Sequence, residues 1–211
     1  MTQDLTHLSA IELVEGYRAG SFSPVEVAEA VLARMAFIDG NIEAFCHRDD
    51  ATVRAMAKAS EERWQKGEQI GPLDGVPISI KDVLRVTGWP TRLGSKTVDA
   101  KGSWLTDSPS VAAMRAAGTV FLGMTKTPEL GWKGVTDGPL YGSSRNPWNI
   151  RMTAGGSSGG TAGAVAAGMG PLGFGTDGGG SVRIPAGFCG IVGMKPSFGK
   201  VPVWPPSTFG T

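Results

Sequence analysis

Glycine is concentrated in one part of this 211-residue sequence, and that concentration limits what the chain can fold into. The sequence has 32 glycines, and 16 of them lie between positions 151 and 200. The segment 154–163 reads AGGSSGGTAG, with a glycine pair on each side of two serines. Apolar residues recur through this region, which argues against a flexible linker. We favour the interpretation that the glycines let the backbone approach closely around the two serine hydroxyls.

The composition favours a globular protein and excludes two classes of partner. Hydrophobic residues make up 41% of the chain and charged residues 18%, which is enough for a buried core. The 20 basic and 19 acidic residues give a net charge of +1, so no basic excess is available for nucleic acid or a membrane surface. Residues 152–176 are uncharged but have too few large apolar side chains for a membrane span. The N-terminus has no signal-peptide pattern, and we expect a cytoplasmic protein.

The cysteines and histidines give no sign of a metal site. Cys46 and Cys189 are too few for a disulfide framework or a four-cysteine zinc site, and we predict reduced, mostly buried thiols. His7 and His47 fall in or beside predicted helices, where we expect surface or capping residues. The sequence therefore predicts neither a metal nor a cofactor.

Helix signals dominate residues 1–70, which we interpret as a helical packing region. Two capping boxes are present, Ser9-x-x-Glu12 and Ser23-x-x-Glu26, the second with proline at the first helical position. A third helix is predicted over residues 50–66, ending at Gly67.

Strands alternate with helices after residue 70, which predicts an α/β fold with a sheet covered by helices. We interpret residues 71–211 as the core of a single domain that also includes the helical region. The predicted elements are a strand at 76–81, a helix at 108–117, a strand at 119–124, a helix at 157–168 and a strand at 172–176.

Three short motifs match but lack the context that each needs. The pattern G-x-S-x-G at 155–159 requires a later histidine, and both histidines come earlier in the chain. The pattern G-x-G-x-x-G at 173–178 requires an acidic residue about twenty positions later, and none follows Asp177. The S-x-x-K pattern at 197–200 has neither S-D-N nor K-T-G to accompany it.

A lysine is the remaining candidate for a base that could activate a serine. Lysine acts as a base only when neutral, and burial lowers its pKa. Lys81 ends an apolar strand, and Ser157 and Ser181 are both flanked by glycine. From the residues alone, a strand-end lysine is more often a surface group, and a glycine-flanked serine is more often a turn residue.

Three longer segments resemble the amidase signature family of serine hydrolases. They read GVPISIKD at 75–82, GGSSGGTAGAVAAG at 155–168, and GTDGGGSVRIPAGFCGIVGMKPSFGKV at 175–201. The interval between Ser157 and Ser181 also agrees with that family. The resemblance implies a mixed β-sheet covered by helices and hydrolysis of a carboxamide C–N bond through an acyl-enzyme.

The same resemblance implies a role for each site residue. Ser181 is the expected nucleophile, Ser157 the bridging serine after a cis peptide bond at Gly156–Ser157, and Lys81 the base. The expected oxyanion hole consists of backbone N–H groups, and the expected support comes from a serine and an ion pair. The N–H groups are those of Gly178, Gly179, Gly180 and Ser181; the supporting residues are Ser158, Asp177 and Arg183.

Members of that family are considerably longer than this chain, so we expect the fold to be incomplete at its C-terminal end. The expected partners are a small-molecule amide and either the missing C-terminal half or a second copy of the chain. Two alternatives stay open: a protein similar to the glutamine-hydrolysing subunit of an amidotransferase, and a truncated, non-catalytic fragment that serves only in binding or assembly.

Overall fold

The computed structural model describes residues 4–205, in which helices and strands alternate along the chain. Residues 206–211, the end of the predicted core region, lie outside the described residues. The α-helices are α1 Ala10–Ala19, α2 Pro24–Ile42, α3 Asp50–Lys66, α4 Pro109–Ala116, α5 Gly159–Ala166 and α6 Arg183–Cys189. The strands are β1 Phe45–His47, β2 Pro77–Lys81, β3 Val120–Thr125, β4 Arg145–Asn146, β5 Asn149–Thr153 and β6 Leu172–Phe174. Short 3₁₀ turns occupy Leu5–His7 and Glu129–Gly131.

The first three helices begin and end where local signals predict. Both capping boxes form, at Ser9 and at Ser23, with the serine side chain and the glutamate side chain each bonded to the other's backbone N–H. The third helix begins after Asp49, whose side chain accepts the Thr52 N–H, and it ends at Gly67 in the left-handed conformation. These hydrogen bonds satisfy N–H groups that the first helical turn leaves without partners.

A four-stranded mixed sheet forms the centre of the fold, in the order β1-β3-β2-β6. Strand β2 is parallel to both of its neighbours, and β1 runs antiparallel to β3. The predicted α/β fold with a mixed sheet is confirmed. Since β2 lies between two strands, its last residue, Lys81, pairs in register with Thr125 and lies inside the protein.

The main hydrophobic core lies between helices α1–α3 and the sheet. One cluster of buried side chains joins Leu13, Val31 and Val53 from the helices to Val120 and Leu122 from β3. Residues on both sides of position 70 therefore share this cluster. The position of a boundary there stays a prediction.

The structure also contains elements that local patterns did not predict. Strand β1 lies inside the region predicted to be helical, and the β4–β5 hairpin and helix α6 had no predicted counterpart. These segments are two to seven residues long, too short to show a clear periodicity. Within residues 4–205, no helix has the length and apolar character that crossing a bilayer requires.

The prediction for His47 was wrong, whereas that for the cysteines is confirmed. His47 lies in β1 with its ring centroid 5.3 Å from that of Trp89, and its Nε2 is buried without a hydrogen-bond partner among residues 4–205. The edge strand, which the sequence did not reveal, carries this ring towards the interior. Cys46 and Cys189 are free thiols, partly and fully buried.

A buried carboxylate ties helix α3 to the turn that precedes β2. Asp74 is fully buried and accepts hydrogen bonds from Arg63 Nε at 2.7 Å, Arg63 Nη2 at 2.6 Å, Ser60 Oγ at 2.6 Å and the Ile70 N–H at 3.0 Å. These donors compensate the carboxylate for the water that it loses on folding.

We expect Asp74→Asn to lower the free energy of unfolding by about 3 kcal/mol, because Arg63 loses the charge that balances it. Denaturant-induced unfolding measures this loss. The matched control is Glu29→Gln, which breaks a pair with Arg54 whose side chains are 48% and 51% exposed. That exposed pair should contribute less than about 1 kcal/mol. Equal losses in the two variants would contradict the role of burial.

Candidate active site

The side chain of Lys81 is fully buried at the end of β2. Its Nζ lies 2.6 Å from Ser157 Oγ and 2.9 Å from Thr176 Oγ1. Burial lowers the pKa of Lys81 from 10.5 to about 7, although the charge of Asp177 acts in the opposite direction. An amine with this pKa is neutral in a large fraction of molecules near pH 7, and it can then accept a proton.

Ser157 follows a cis peptide bond with Gly156, as the resemblance implied. The glycine is required there by close approach of the backbone, because a Cβ on Gly156 would lie 2.6 Å from the carbonyl carbon of Val135. The loop of residues 154–158 is therefore packed against the segment 134–136. The glycine-rich sequence serves close packing here.

Helix α5, which begins after Ser158, receives its cap from a distant residue. Thr136 Oγ1 accepts the Gly159 N–H at 3.0 Å and contacts the Ser157 carbonyl oxygen at 3.4 Å. Ser158 makes no side-chain cap to its own helix. Thr136 thus holds both the start of α5 and the backbone of Ser157.

Ser158 joins the glycine-rich loop to the segment that carries Ser181. Its Oγ donates to the Thr176 carbonyl at 3.3 Å and lies 3.4 Å from the Thr176 N–H, which donates to it. Its backbone N–H donates to the Ser181 carbonyl at 3.0 Å. The predicted supporting residue therefore connects both ends of the segment 176–181.

Asp177 organises the next turn of the chain. Its carboxylate pairs with Arg183, with both N–O distances 2.9 Å, and accepts the N–H groups of Gly180 at 2.7 Å and Val182 at 3.1 Å. The hydrogen bond from Arg183 lowers the pKa of Asp177 well below its ordinary value. The predicted ion pair is present and lies at the centre of a loop that wraps around it.

The four predicted oxyanion donors differ in their hydrogen bonding. The Gly180 N–H already donates to Asp177, so it is engaged within the protein rather than open to a substrate. In the described part of the chain, the N–H groups of Gly178, Gly179 and Ser181 have no hydrogen-bond partner. The sequence-based prediction did not anticipate that the Asp177 carboxylate turns towards the Gly180 amide.

The two serine hydroxyls are less closely linked than the lysine and the first serine. Ser157 Oγ accepts a hydrogen bond from Lys81 Nζ, whereas Ser181 is connected to the site by its carbonyl oxygen, which accepts the Ser158 N–H. Among residues 4–205, no hydrogen bond links Ser157 Oγ to Ser181 Oγ. The site thus brings Lys81 and Ser157 into contact, with Ser181 held beside them by Ser158.

Sequence reasoning missed two residues of this site, Thr136 and Thr176. Thr176 lies directly before Asp177 and shares the Lys81 amine with Ser157. Its position within GTDGGGS could have drawn attention to it, but the chemistry of a threonine beside a run of glycines does not by itself indicate a site residue. Thr136 is in a segment without any regular pattern, and only the tertiary fold brings it to Ser157.

Comparison with known proteins identifies the family. A family model described as Amidase matches residues 26–209 of the chain. The chain belongs to the Amidase family. It is 44% identical over 200 residues to an acylamidase from Rhodococcus erythropolis, an alignment that covers 95% of this chain and 42% of that protein. It is 39% identical to one of the subunits of glutamyl-tRNA(Gln) amidotransferase from Streptomyces coelicolor, covering 94% of this chain and 40% of that one.

A solved structure agrees with this assignment. The crystal structure of a bacterial aryl acylamidase of the amidase signature family superposes with a TM-score of 0.88 at 39% identity. The match covers 93% of this chain and 41% of that one. The chain therefore spans about two fifths of the length of its Amidase relatives, and these relatives support amide hydrolysis at the level of the family.

The packing around Gly156 generates a prediction about stability. An added methyl group in Gly156→Ala would lie within 2.6 to 2.9 Å of backbone atoms of Val135 and Gly134, which cannot move as a side chain does. We expect a loss of about 1–3 kcal/mol in the free energy of unfolding, measured by denaturant titration.

Gly179→Ala is the matched control, because a Cβ at Gly179 meets nothing within 4 Å. We expect its effect on stability to stay within about 0.5 kcal/mol. If the two variants unfold at the same denaturant concentration, the glycine at 156 is not required by close packing.

Proposed function

We propose that this chain carries the reacting groups of an amidase that hydrolyses a carboxamide C–N bond through Lys81, Ser157 and Ser181. The observation that carries the proposal is the 2.6 Å contact between the buried Lys81 amine and Ser157 Oγ. A buried amine with a pKa lowered to about 7 can act as a base at neutral pH, which an exposed lysine cannot do.

The proposed reaction moves protons through the two serines. Neutral Lys81 takes a proton from Ser157, and Ser157 takes one from Ser181 as the Ser181 oxygen attacks the amide carbonyl. The C–N bond then breaks, and the relay returns a proton to the leaving amine. Water attacks the resulting ester in the same way and releases the carboxylic acid. Thr176 would orient the amine by holding one of its hydrogens, at 2.9 Å.

The negative oxygen that forms during attack would be stabilised by backbone amides. We assign this role to the N–H groups of Gly178, Gly179 and Ser181, which have no partner within residues 4–205. Asp177 and Arg183 would act by holding the loop in shape, as would the Gly180 N–H through its bond to Asp177.

A second candidate is the glutamine-hydrolysing component of an amidotransferase, which would supply ammonia to a partner. It is favoured by the similarity to a glutamyl-tRNA(Gln) amidotransferase component in several bacteria, at 38% to 42% identity. The two functions share the same proposed reacting groups. Release of glutamate from glutamine that requires an added partner protein would favour the amidotransferase, and hydrolysis of simple amides without one would favour the amidase.

A fluorophosphonate probe tests the nucleophile and the base. We expect the probe to label Ser181, and labelling to vanish in Ser181→Ala. Lys81→Met should slow labelling by about 100-fold or more, because the base is removed while the side-chain length is kept. Mass spectrometry locates the label and its rate of appearance.

Lys126→Met is the control for this experiment. Lys126 is also a buried lysine, but its Nζ pairs with Glu43 at 2.9 Å and with the Tyr141 carbonyl, away from the serines. Folded Lys126→Met should label at nearly the wild-type rate. Absence of labelling in folded wild-type protein would support a non-catalytic binding or assembly role instead.

The pH dependence of labelling tests the state of the lysine. Since the neutral amine is the base, the rate should rise about tenfold per pH unit below pH 7 and level off above it. The midpoint should lie near the lowered pKa of about 7 rather than near 10.5. A profile that is flat between pH 5 and pH 9 would be inconsistent with Lys81 as the base.

A further inference from the structure

Asp82 is a buried charge for which the proposed reaction has no use. It directly follows Lys81 and is fully buried, and no basic side chain within the described residues forms an ion pair with it. Its carboxylate instead accepts two backbone N–H groups, that of Arg92 at 2.7 Å and that of Gly94 at 2.9 Å, and a hydrogen bond from the Tyr141 side chain. Burying a carboxylate without a counter-charge is costly, so the arrangement calls for an explanation.

The loop that donates to Asp82 has an unusual backbone. Leu93 and Gly94 both have positive φ, at +52° and +62°, and a leucine rarely adopts that conformation. Successive amides in such a loop converge on one point, which is a known way to bind an anion. The Asp82 carboxylate therefore stabilises a loop conformation that the residues 92–94 would not choose by themselves.

This loop supports the turn of residues 128–131. The Leu93 carbonyl accepts the Leu130 N–H at 2.7 Å, and Ser95 Oγ donates to Glu129 Oε1 at 2.8 Å. At Gly94 a Cβ would lie 2.6 Å from the Thr127 carbonyl oxygen, so the two segments are in close contact. The turn needs this support because Leu130 also has a positive φ, of +56°.

The supported turn faces the candidate active site. A Cβ on Gly131 would lie 3.7 Å from both Ser157 Oγ and Val83 Cγ1 and 3.8 Å from Thr127 Oγ1. The Thr127 hydroxyl is buried without a partner among the described residues. Gly131 and Thr127 thus form part of a wall next to the reacting hydroxyl.

We propose that Asp82 is a positioning residue: its carboxylate, through the loop 92–95, fixes the turn 128–131 as one wall of the space beside Ser157. This proposal rests on the proposed function in so far as Ser157 belongs to the reacting site. Burial raises the pKa of Asp82 to about 6, and hydrogen bonds from Gly94, Arg92 and Tyr141 oppose that rise, so the carboxylate is mostly ionised at pH 7.5.

The test is Asp82→Asn, measured with the fluorophosphonate probe at increasing concentration. An amide has a single acceptor oxygen, so one of the two backbone N–H groups loses its partner and the wall loosens. We expect the probe concentration at half-saturation to rise about tenfold, which corresponds to one hydrogen bond to a charged group. The pH midpoint of labelling should stay unchanged, because Lys81 keeps its surroundings.

Two further variants separate positioning from general damage. Asp107→Asn is the matched control: Asp107 also accepts a backbone N–H, from Thr87 at 2.6 Å, and pairs with Arg115, but it does not contact the turn 128–131. It should leave half-saturation unchanged. Ser95→Ala removes the bond to Glu129 and two bonds to Thr97 but leaves the Asp82 carboxylate in place. It should raise half-saturation by a smaller factor than Asp82→Asn, which keeps the proposal testable if Asp82→Asn fails to fold.

A loss of labelled fraction in Asp82→Asn at unchanged half-saturation would overturn the proposal, since that result means only that fewer molecules are folded. If wild-type protein does not react with the probe, the proposed function fails, and hydrogen exchange decides about Asp82. Faster exchange of the Leu130 and Gly131 amides in Asp82→Asn than in Asp107→Asn then supports the positioning role. Equal exchange in the two variants overturns it.

Discussion

The rest of the site depends on the burial of the Lys81 amine. Its Nζ has two hydroxyl partners, Ser157 at 2.6 Å and Thr176 at 2.9 Å, and no carboxylate forms an ion pair with it in the part of the chain that the structure describes. Water would keep such an amine protonated, and burial removes that stabilisation of the charge. Every other element of the site can be understood as what covers this amine or what holds its partners in place.

The glycines allow the segments around the Lys81 amine to pack closely against one another. At Gly160 a Cβ would lie 2.5 Å from the Ala44 carbonyl oxygen, at Gly159 it would lie 2.3 Å from Thr136 Oγ1, and at Gly173 2.3 Å from Thr161 Cγ2. Helix α5 can therefore lie against β6 and against the residue that precedes β1 at distances that side chains would prevent. This close packing explains why glycine is concentrated in that part of the sequence.

Two buried carboxylates near the site keep their charges in different ways. Asp177 is balanced by the Arg183 guanidinium, which lowers its pKa, and backbone amides add to that effect. Asp82 has backbone amides as its principal donors, and its pKa is raised to about 6. The first holds the loop that would face the developing oxyanion, and the second holds the loop behind the turn beside Ser157. Each carboxylate thus orders a loop by accepting its backbone N–H groups.

Local sequence determined the elements whose hydrogen bonds close within a few residues. The capping boxes at Ser9 and Ser23 and the stop at Gly67 were predictable because each signal and its partner lie three to five positions apart. The residues proposed to react could be named from the sequence only through resemblance to a family, since a strand-end lysine has no local mark of burial. Tertiary structure alone decided the contacts between Lys81 and Ser157, 76 positions apart, and between Lys81 and Thr176, 95 positions apart. It likewise decided that Thr136 caps α5 and that Asp177 engages the Gly180 amide, because such contacts depend on how the whole chain is packed and not on which residues are neighbours along it.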